Sequence, residues 1–258
     1  MAASIRKGPS LTIKIENLSH SFGKIAALKD ISTSIKPKSI TVLIGPNAAG
    51  KSTLLRCIIG AIRPNSGKVL IDKMPAHKLS ARVLAKCAAY VPQRPIVSAA
   101  FSVREVVELG RYVLPRNISK VDKALDQLDL TKLEDRAFQN LSVGQQQRVA
   151  LARAFAQISV NGHLILDEPM SAMDLNYVYK CVDLLRAKAE SGATVILALH
   201  DLSLAATIAD NVLLLDNGKL ILSGDVNEVM QPGHLTKVFG IELERVARAG
   251  GKDALLVK

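Results

Sequence analysis

The stretch Gly45-Pro46-Asn47-Ala48-Ala49-Gly50-Lys51-Ser52-Thr53 constrains this chain more than any other, because it fits the spacing G-x-x-x-x-G-K-[ST] and has the right neighbours. Ahead of it, Ser39-Ile40-Thr41-Val42-Leu43-Ile44 is short, β-branched and apolar, the composition of a buried parallel strand; behind it, Leu54-Leu55-Arg56-Cys57-Ile58-Ile59 opens a helix. A turn between such a strand and such a helix aims successive backbone N–H groups, and the positive end of the helix dipole, at one point. Lys51 is then in reach of β- and γ-phosphates, and Ser52 is a candidate Mg²⁺ ligand. The stretch therefore predicts a nucleoside triphosphate as ligand, without saying what the nucleotide is used for.

A chain of 258 residues with 48% hydrophobic content can bury one α/β domain with an embedded subdomain. Its net charge of +11 suits phosphate ligands, an anionic membrane face or nucleic acid, but only 3% of the residues are aromatic. Few platforms for stacking bases remain, so no nucleic-acid partner is expected. Cys57, Cys87 and Cys181 are odd in number and lie in apolar or helical runs, which argues against a disulfide framework and for a reducing compartment. Met1 to Pro9 contain no apolar core of a signal peptide, and no run reaches the roughly eighteen apolar residues of a membrane span, so membrane contact is expected to be peripheral.

Along the chain, Leu11 to Glu16 alternates like a half-exposed antiparallel strand, with Phe22-Gly23 in a turn after it, where the Phe22 ring is either a hydrophobic anchor or a base-stacking platform. Lys68 to Asp72 and Ala88 to Gln93 read as further strands, the second placing Gln93 at a carboxyl end, the edge where open parallel sheets bind ligands. From about residue 94 to 160 the pattern turns helical. Ser102 with Glu105 and Ser142 with Gln145 have capping-box spacing, and Ser119 with Asp122 is expected to start another helix that stops near Asp129. His163 to Leu166 resumes the sheet and ends on Asp167-Glu168-Pro169. Consecutive strand residues point to opposite sides, so the two acids are expected to divide the labour, one holding Mg²⁺ and the other polarising an attacking water. The next strand, Thr194 to Leu199, ends on His200 at the same predicted edge. Asn217-Gly218 between apolar runs predicts a hairpin, Asp225 to Met230 a short helix, and Pro232-Gly233 its break before a polar, Gly-rich tail.

Phe22, the P-loop, Gln93, Leu141-Ser142-Val143-Gly144-Gln145, Asp167-Glu168, Ser171-Ala172-Met173-Asp174 and His200, in this order, resemble the ATPase subunit of ABC transporters over roughly residues 11 to 245. The resemblance implies a RecA-like P-loop NTPase fold: a parallel-sheet core with an N-terminal antiparallel β subdomain and an inserted α-helical subdomain. Core segments would span about 11–93 and 161–225, the helical subdomain about 94–160 and a C-terminal extension 226–258. It further implies ATP and Mg²⁺ as cofactors. Phe22 would stack on adenine, Gln93 would touch Mg²⁺ and the transporter, Asp167 would partner Mg²⁺, Glu168 would be the general base and His200 the switch histidine, with Asp174 in a dimer-contacting loop. Ser142 and the Gly144 N–H, with Gln145 beside them, would meet the γ-phosphate held by a second copy, giving an ATP-sandwiched homodimer on the cytoplasmic face of the inner membrane. Integral permease subunits and, indirectly, a periplasmic or lipid-anchored binding protein are the implied partners.

Three positions depart from the family pattern. Ala48 and Val143 stand where glycine is usual and Met170 where threonine is common; Val143 is expected to resist a positive φ and to add bulk at the interface. The segment Phe101 to Arg111, His200 to Ala205 and the end from Val229 to Ile241 resemble importers of ferric siderophores, haem and cobalamin, with zinc and manganese importers and non-transport ATPases of the superfamily as the alternatives.

Overall fold

Alternating apolar and polar residues build the first layer. In the computed structural model, which describes residues 12–246 and 254–257, β1 (Ile13–Phe22) and β2 (Ile25–Ile35) pair antiparallel. Ile13, Ile15 and Leu18 of β1 and Leu28, Ile31 and Ile35 of β2 are buried on one face. Then follow β3 (Ile40–Ile44), α1 (Lys51–Ile58), β4 (Ser66–Ile71), β5 (Met74–Pro75), α2 (Ala81–Cys87) and β6 (Ala88–Val91). Three helices come next, α3 (Val103–Leu109), α4 (Ile118–Gln127) and α5 (Val143–Gln157). The chain returns through β7 (His163–Asp167), α6 (Leu175–Glu190), β8 (Thr194–Ala198), α7 (Leu202–Ile208), β9 (Asn211–Asp216) and β10 (Lys219–Asp225). It ends on α8 (Val226–Val229), α9 (Pro232–Phe239), β11 (Leu243–Val246) and β12 (Ala254–Val257).

Strands β3, β7 and β8 are buried at every position, which requires cover on both faces. They lie in a six-stranded sheet ordered β10-β9-β3-β8-β7-β6, parallel apart from the β10 edge. The period-2 geometry of a strand divides their side chains between two cores. Ile40, Val42, Leu164, Leu166, Val195 and Leu197 pack with the helices from α3 to α7. Leu43, Ile165, Ile196 and Ala198 face α1 and the antiparallel sheet β2-β1-β4-β5. This is the expected ABC-type arrangement, with P-loop, Asp167 and His200 all brought to the carboxyl edge of the parallel strands.

Both capping boxes form, at Ser102 with Glu105 and at Ser142 with Gln145. The Asn217-Gly218 hairpin forms as well, with φ of 47° and 79°. Several local expectations need correction. Helix α4 starts at Ile118, and its cap is Asn117, two residues before Ser119, accepting from the Lys120 N–H, while Asp122 is engaged by Arg104 at 2.8 Å. The short helix expected over Asp225 to Met230 forms as α8 and ends ahead of Pro232, but Pro232 is followed by another helix and not directly by a polar tail: it opens α9 at its first turn, where its missing N–H is harmless. Strand β6 stops at Val91, so Gln93 sits just beyond the strand end. Glu168 likewise lies past β7 with φ 49°, so it diverges from Asp167 through a left-handed backbone and not through strand alternation. The polar N-terminal stretch, Leu11 and the glycines at 250 and 251 lie outside the described residues.

Candidate functional site

The P-loop closes around its own lysine. Gly45 has φ 151°, and a Cβ there would fall 2.1 Å from the Leu215 carbonyl oxygen of β9; at Gly50, with φ 100°, a Cβ would fall 2.6 Å from the Ala27 carbonyl oxygen. Only glycine fits at either place. Ala48 holds φ 61°, a left-handed backbone that an alanine adopts at a cost of about 1–2 kcal/mol. Between them Pro46 and Asn47 form the outer turn, with Asn47 and Ala48 exposed and Ala49 buried beneath. Lys51, at the start of α1, is 5% exposed and donates to the carbonyl oxygens of Gly45 (2.7 Å) and Pro46 (3.0 Å). Burial pulls its pKa below the ordinary lysine value, and the carboxylates of Glu168 and Asp167 oppose that shift. An arriving phosphate oxygen would exchange two neutral acceptors for a charged one.

Ser52, next on α1 and followed by Thr53, donates its hydroxyl to Asp167 Oδ1 at 2.9 Å. Asp167 is buried at the end of β7 and also accepts from the Tyr90 hydroxyl at 3.4 Å. Burial, with the Asp167 charge second, holds the Tyr90 phenol above its usual pKa, so it remains a donor. The Ser52 hydroxyl and the Asp167 carboxylate are hard oxygen donors, a set that fits Mg²⁺. Beside them the Glu168 carboxylate is held at both oxygens. Oε2 accepts from Gln93 Nε2 at 2.6 Å, and Oε1 pairs with His200 Nε2. Glu168 is buried, whereas His200 and Gln93 are exposed. A basic oxygen thus stands between two polar groups at the mouth of the phosphate turn, an arrangement able to orient and deprotonate a water.

The remaining predicted residues lie apart from this cluster. Phe22 ends β1 beside the hairpin turn, half exposed, edge-on to the His20 ring at 4.7 Å. Ser142 and Gln145 satisfy each other, Ser142 Oγ accepting from the Gln145 N–H (3.3 Å) and Gln145 Oε1 from the Ser142 N–H (3.0 Å). Asp174 stands at the N-terminus of α6 without making a side-chain capping bond. Gly144 is tight: a Cβ there would fall 2.5 Å from the Ala172 carbonyl oxygen. Val143 is the first residue of α5, 60% exposed, and is not among the residues of positive φ, so the expected backbone conflict does not arise. Met170 is buried in the helical-side core.

Gln147 was not foreseen. It is 2% exposed and ties three segments together: its Nε2 donates to Ser171 Oγ (2.9 Å) and to the Gln93 carbonyl (3.4 Å), while its Oε1 accepts from the Ala172 N–H (3.0 Å). A signal exists in the sequence. Gln147 precedes Leu151, Ala154 and Phe155 on one helical face, and an amide on an apolar stripe needs buried partners.

The family model described as "ABC transporter" matches residues 28–171. A hemin import ATP-binding protein, HmuV, of Shewanella denitrificans is 37% identical over 255 residues, spanning 95% of this chain and 100% of its own. The HmuV of Bordetella pertussis is 36% identical, spanning 96% and 99%. Among solved structures, a metal-chelate type ABC transporter in an inward-facing conformation superimposes with a TM-score of 0.79 at 27% identity, covering 96% of this chain and 97% of that one. A dimeric ATP-binding cassette in a post-hydrolysis state with ADP and Pi gives 0.76 at 26% identity, covering 83% and 98%. The family match spans more than half of the chain and the relatives nearly all of it: this chain belongs to the ABC transporter family and carries its ATP-binding domain.

Proposed function

We propose that this chain is the ATP-hydrolysing subunit of an importer of a metal chelate, haem above ferric siderophores or cobalamin, working through a separate membrane permease. The observation that carries the substrate class is the near full-length similarity to hemin import ATP-binding proteins, at 34–37% identity. Among the described residues no helix is long and apolar enough to cross a membrane, in keeping with a subunit bound to a permease on the cytoplasmic face of the inner membrane. Residues 11–93 and 161–225 form the nucleotide-binding core in this reading, 94–160 the helical part bearing the signature segment Leu141 to Gln145, and 226–258 an extension.

The chemistry follows from the ties just described. The P-loop amides and Lys51 receive the β- and γ-phosphates, Lys51 giving up its two carbonyl partners. Phe22 supplies a half-exposed ring for adenine. Ser52 and Asp167, with Gln93 nearby, would hold Mg²⁺, whose contribution when bound is to neutralise phosphate charge. Glu168 takes a proton from the attacking water; His200 and Gln93 fix the direction of its carboxylate. Ser142, the Gly144 N–H, Gln145 and Asp174 would meet the ATP of a second copy, closing two equivalent sites about one twofold axis. No residue here needs to touch the cargo, which a binding protein and the permease select.

The test is uptake in the native host with this chain deleted. Labelled haem, ferric siderophore, cobalamin, zinc and manganese are compared; loss of haem uptake supports the reading, and loss confined to the bare metal ions rejects it.

A further inference from the structure

A second cavity, of about 280 Å³, opens at the edge of the parallel sheet opposite the nucleotide. Ser159 and Val160, just ahead of β7, and Ala193, just ahead of β8, form one side of it, while Asp167 and His200 lie at the other ends of those strands. Five-residue strands put the two edges about 16 Å apart at the usual rise. The cavity floor is apolar, made by Ala124, Phe155 and Ile158. Its rim carries Lys120, Lys123 and Lys188 and no carboxylate.

The charge there is only partly answered. Lys120 Nζ donates to the Ile158 carbonyl at the C-terminus of α5 (3.3 Å), and Lys188, in the last turn of α6, lies 4.8 Å over the Phe155 ring. Among the described residues none of the three forms a salt bridge. The C-termini of α5 and α6 supply roughly −0.5 each, so about +2 of the three ammonium charges is left over. The third helix end at the cavity, that of α4, is already answered by Arg148, which donates to the Leu128 carbonyl at 2.8 Å. Asp126 and Glu190, adjacent in sequence to the lining, are exposed and do not line it. Burial and the neighbouring Lys123 and Lys120 push the Lys188 pKa down, as expected of like charges gathered without a counter-ion.

A compact anion of about two negative charges would restore neutrality, and a phosphate monoester carries roughly −1.5 to −2 at neutral pH. We propose that this cavity binds a phosphate-class anion, its charged head among Lys120, Lys123 and Lys188 and any small apolar body against Phe155 and Ile158. The site is distinct from the P-loop, and α5 and α6, whose N-terminal caps are Ser142 and Asp174, both end in it. Inorganic phosphate, a small phosphomonoester and a phosphatidic acid headgroup share the required chemistry.

The experiment uses the full chain with its nucleotide site saturated by ADP, at constant ionic strength. Phenyl phosphate, inorganic phosphate and sodium chloride are titrated while thermal unfolding is followed, and co-sedimentation is measured with vesicles containing phosphatidic acid. The expected result is a saturable rise in melting temperature of about 2–4 °C with phenyl phosphate but not with chloride, lost in Lys123→Gln and in Lys188→Gln. Lysine-dependent sedimentation with the vesicles and no response to the free phosphates also supports the site and assigns its source to the lipid. Overturning results are an equal rise in the wild type and both variants, or no lysine-dependent response to any probe. Lys123 is exposed on α4, so its replacement leaves the fold in place and keeps the test decisive.

Discussion

The two ends of the ATP machinery are built in different ways. At the P-loop end the polar groups answer one another within the chain around the buried Lys51, Asp167 and Glu168: Lys51 is satisfied by its own loop, Ser52 and Tyr90 by Asp167, and Gln93 and His200 by Glu168. At the signature end the side chains of Ser142 and Gln145 bond to each other's backbone N–H, and Ser142 and Val143 face solvent. One end is preorganised before any partner arrives. The other is a capped helix start that, in the function proposed above, would act only on a second copy, so a change at the first should be felt in chemistry and a change at the second in association.

The largest effect should follow from Glu168→Gln. The amide can still hydrogen-bond a water but cannot take its proton, and removing a positioned general base lowers turnover by about 10²–10⁴-fold. ATP binding should survive, and ATP-bound dimers should accumulate, as size-exclusion with ATP would record. Phosphate release near the wild-type rate would give the base role to another group and remove the basis for contrasting the two ends.

The strand that delivers Asp167 also begins with a polar residue, and that one is unanswered. His163 is fully buried, neither ring nitrogen has a hydrogen-bond partner among the described residues, and burial lowers its pKa from 6.5 to about 4. The unfolded chain therefore takes up the proton first on acidification. This contribution to stability is fully present above pH 6.5 and is lost as the pH falls toward 4, amounting to about 3 kcal/mol over that range. His163→Leu should show a shallower loss of urea-unfolding stability between pH 7 and 4 than the wild type. Parallel slopes would mean that His163 is protonated equally in both states.

Lys51→Ala removes a charged donor to phosphate and should weaken ATP binding by about 10–150-fold, the equivalent of 1.5–3 kcal/mol; it also leaves the buried Gly45 carbonyl without its donor, a cost to the fold of about 1–3 kcal/mol. Equilibrium binding of a fluorescent ATP analogue measures it. Unchanged affinity would separate the loop's shape from the lysine's charge and place the whole effect in the backbone amides.

The same contrast governs what can be read from the residues. The P-loop, the Asp167-Glu168 pair, the Asn217-Gly218 turn and the two capping boxes are legible because each depends on residues close in sequence. Helix α4 is misread at Ser119 because Asp122, needed for its capping box, is taken by Arg104 from another helix, and a proline that reads as a breaker at 232 fits just as well at a helix start. Gln147, the Tyr90 bond to Asp167 and the basic cavity between α4, α5 and α6 arise only when distant segments meet. The hydrogen bonds at both ends are local or tertiary in just this sense, which is why the roles of Ser142 and Asp174 rest on family resemblance while the ties of Glu168 can be measured.

The smallest effect sharpens the comparison most, because it sets two neighbouring residues of the signature against each other. Val143 is the first residue of α5 with no positive φ and a side chain mostly in solvent, so Val143→Gly removes no interior packing and should cost at most about 1 kcal/mol of helix stability. By clearing bulk from the surface expected to meet the second copy, it should leave ATP turnover unchanged or raise it a few-fold. Gly144→Ala, one residue on, should do the opposite, since its Cβ would fall 2.5 Å from the Ala172 carbonyl and push α5 away from the Ser171–Asp174 loop that Gln147 holds. Turnover and melting temperature measured on both variants separate the cases. A severe loss in Val143→Gly would show that the valine packs against the partner copy, and that the signature end is preorganised after all by an apolar contact across the dimer.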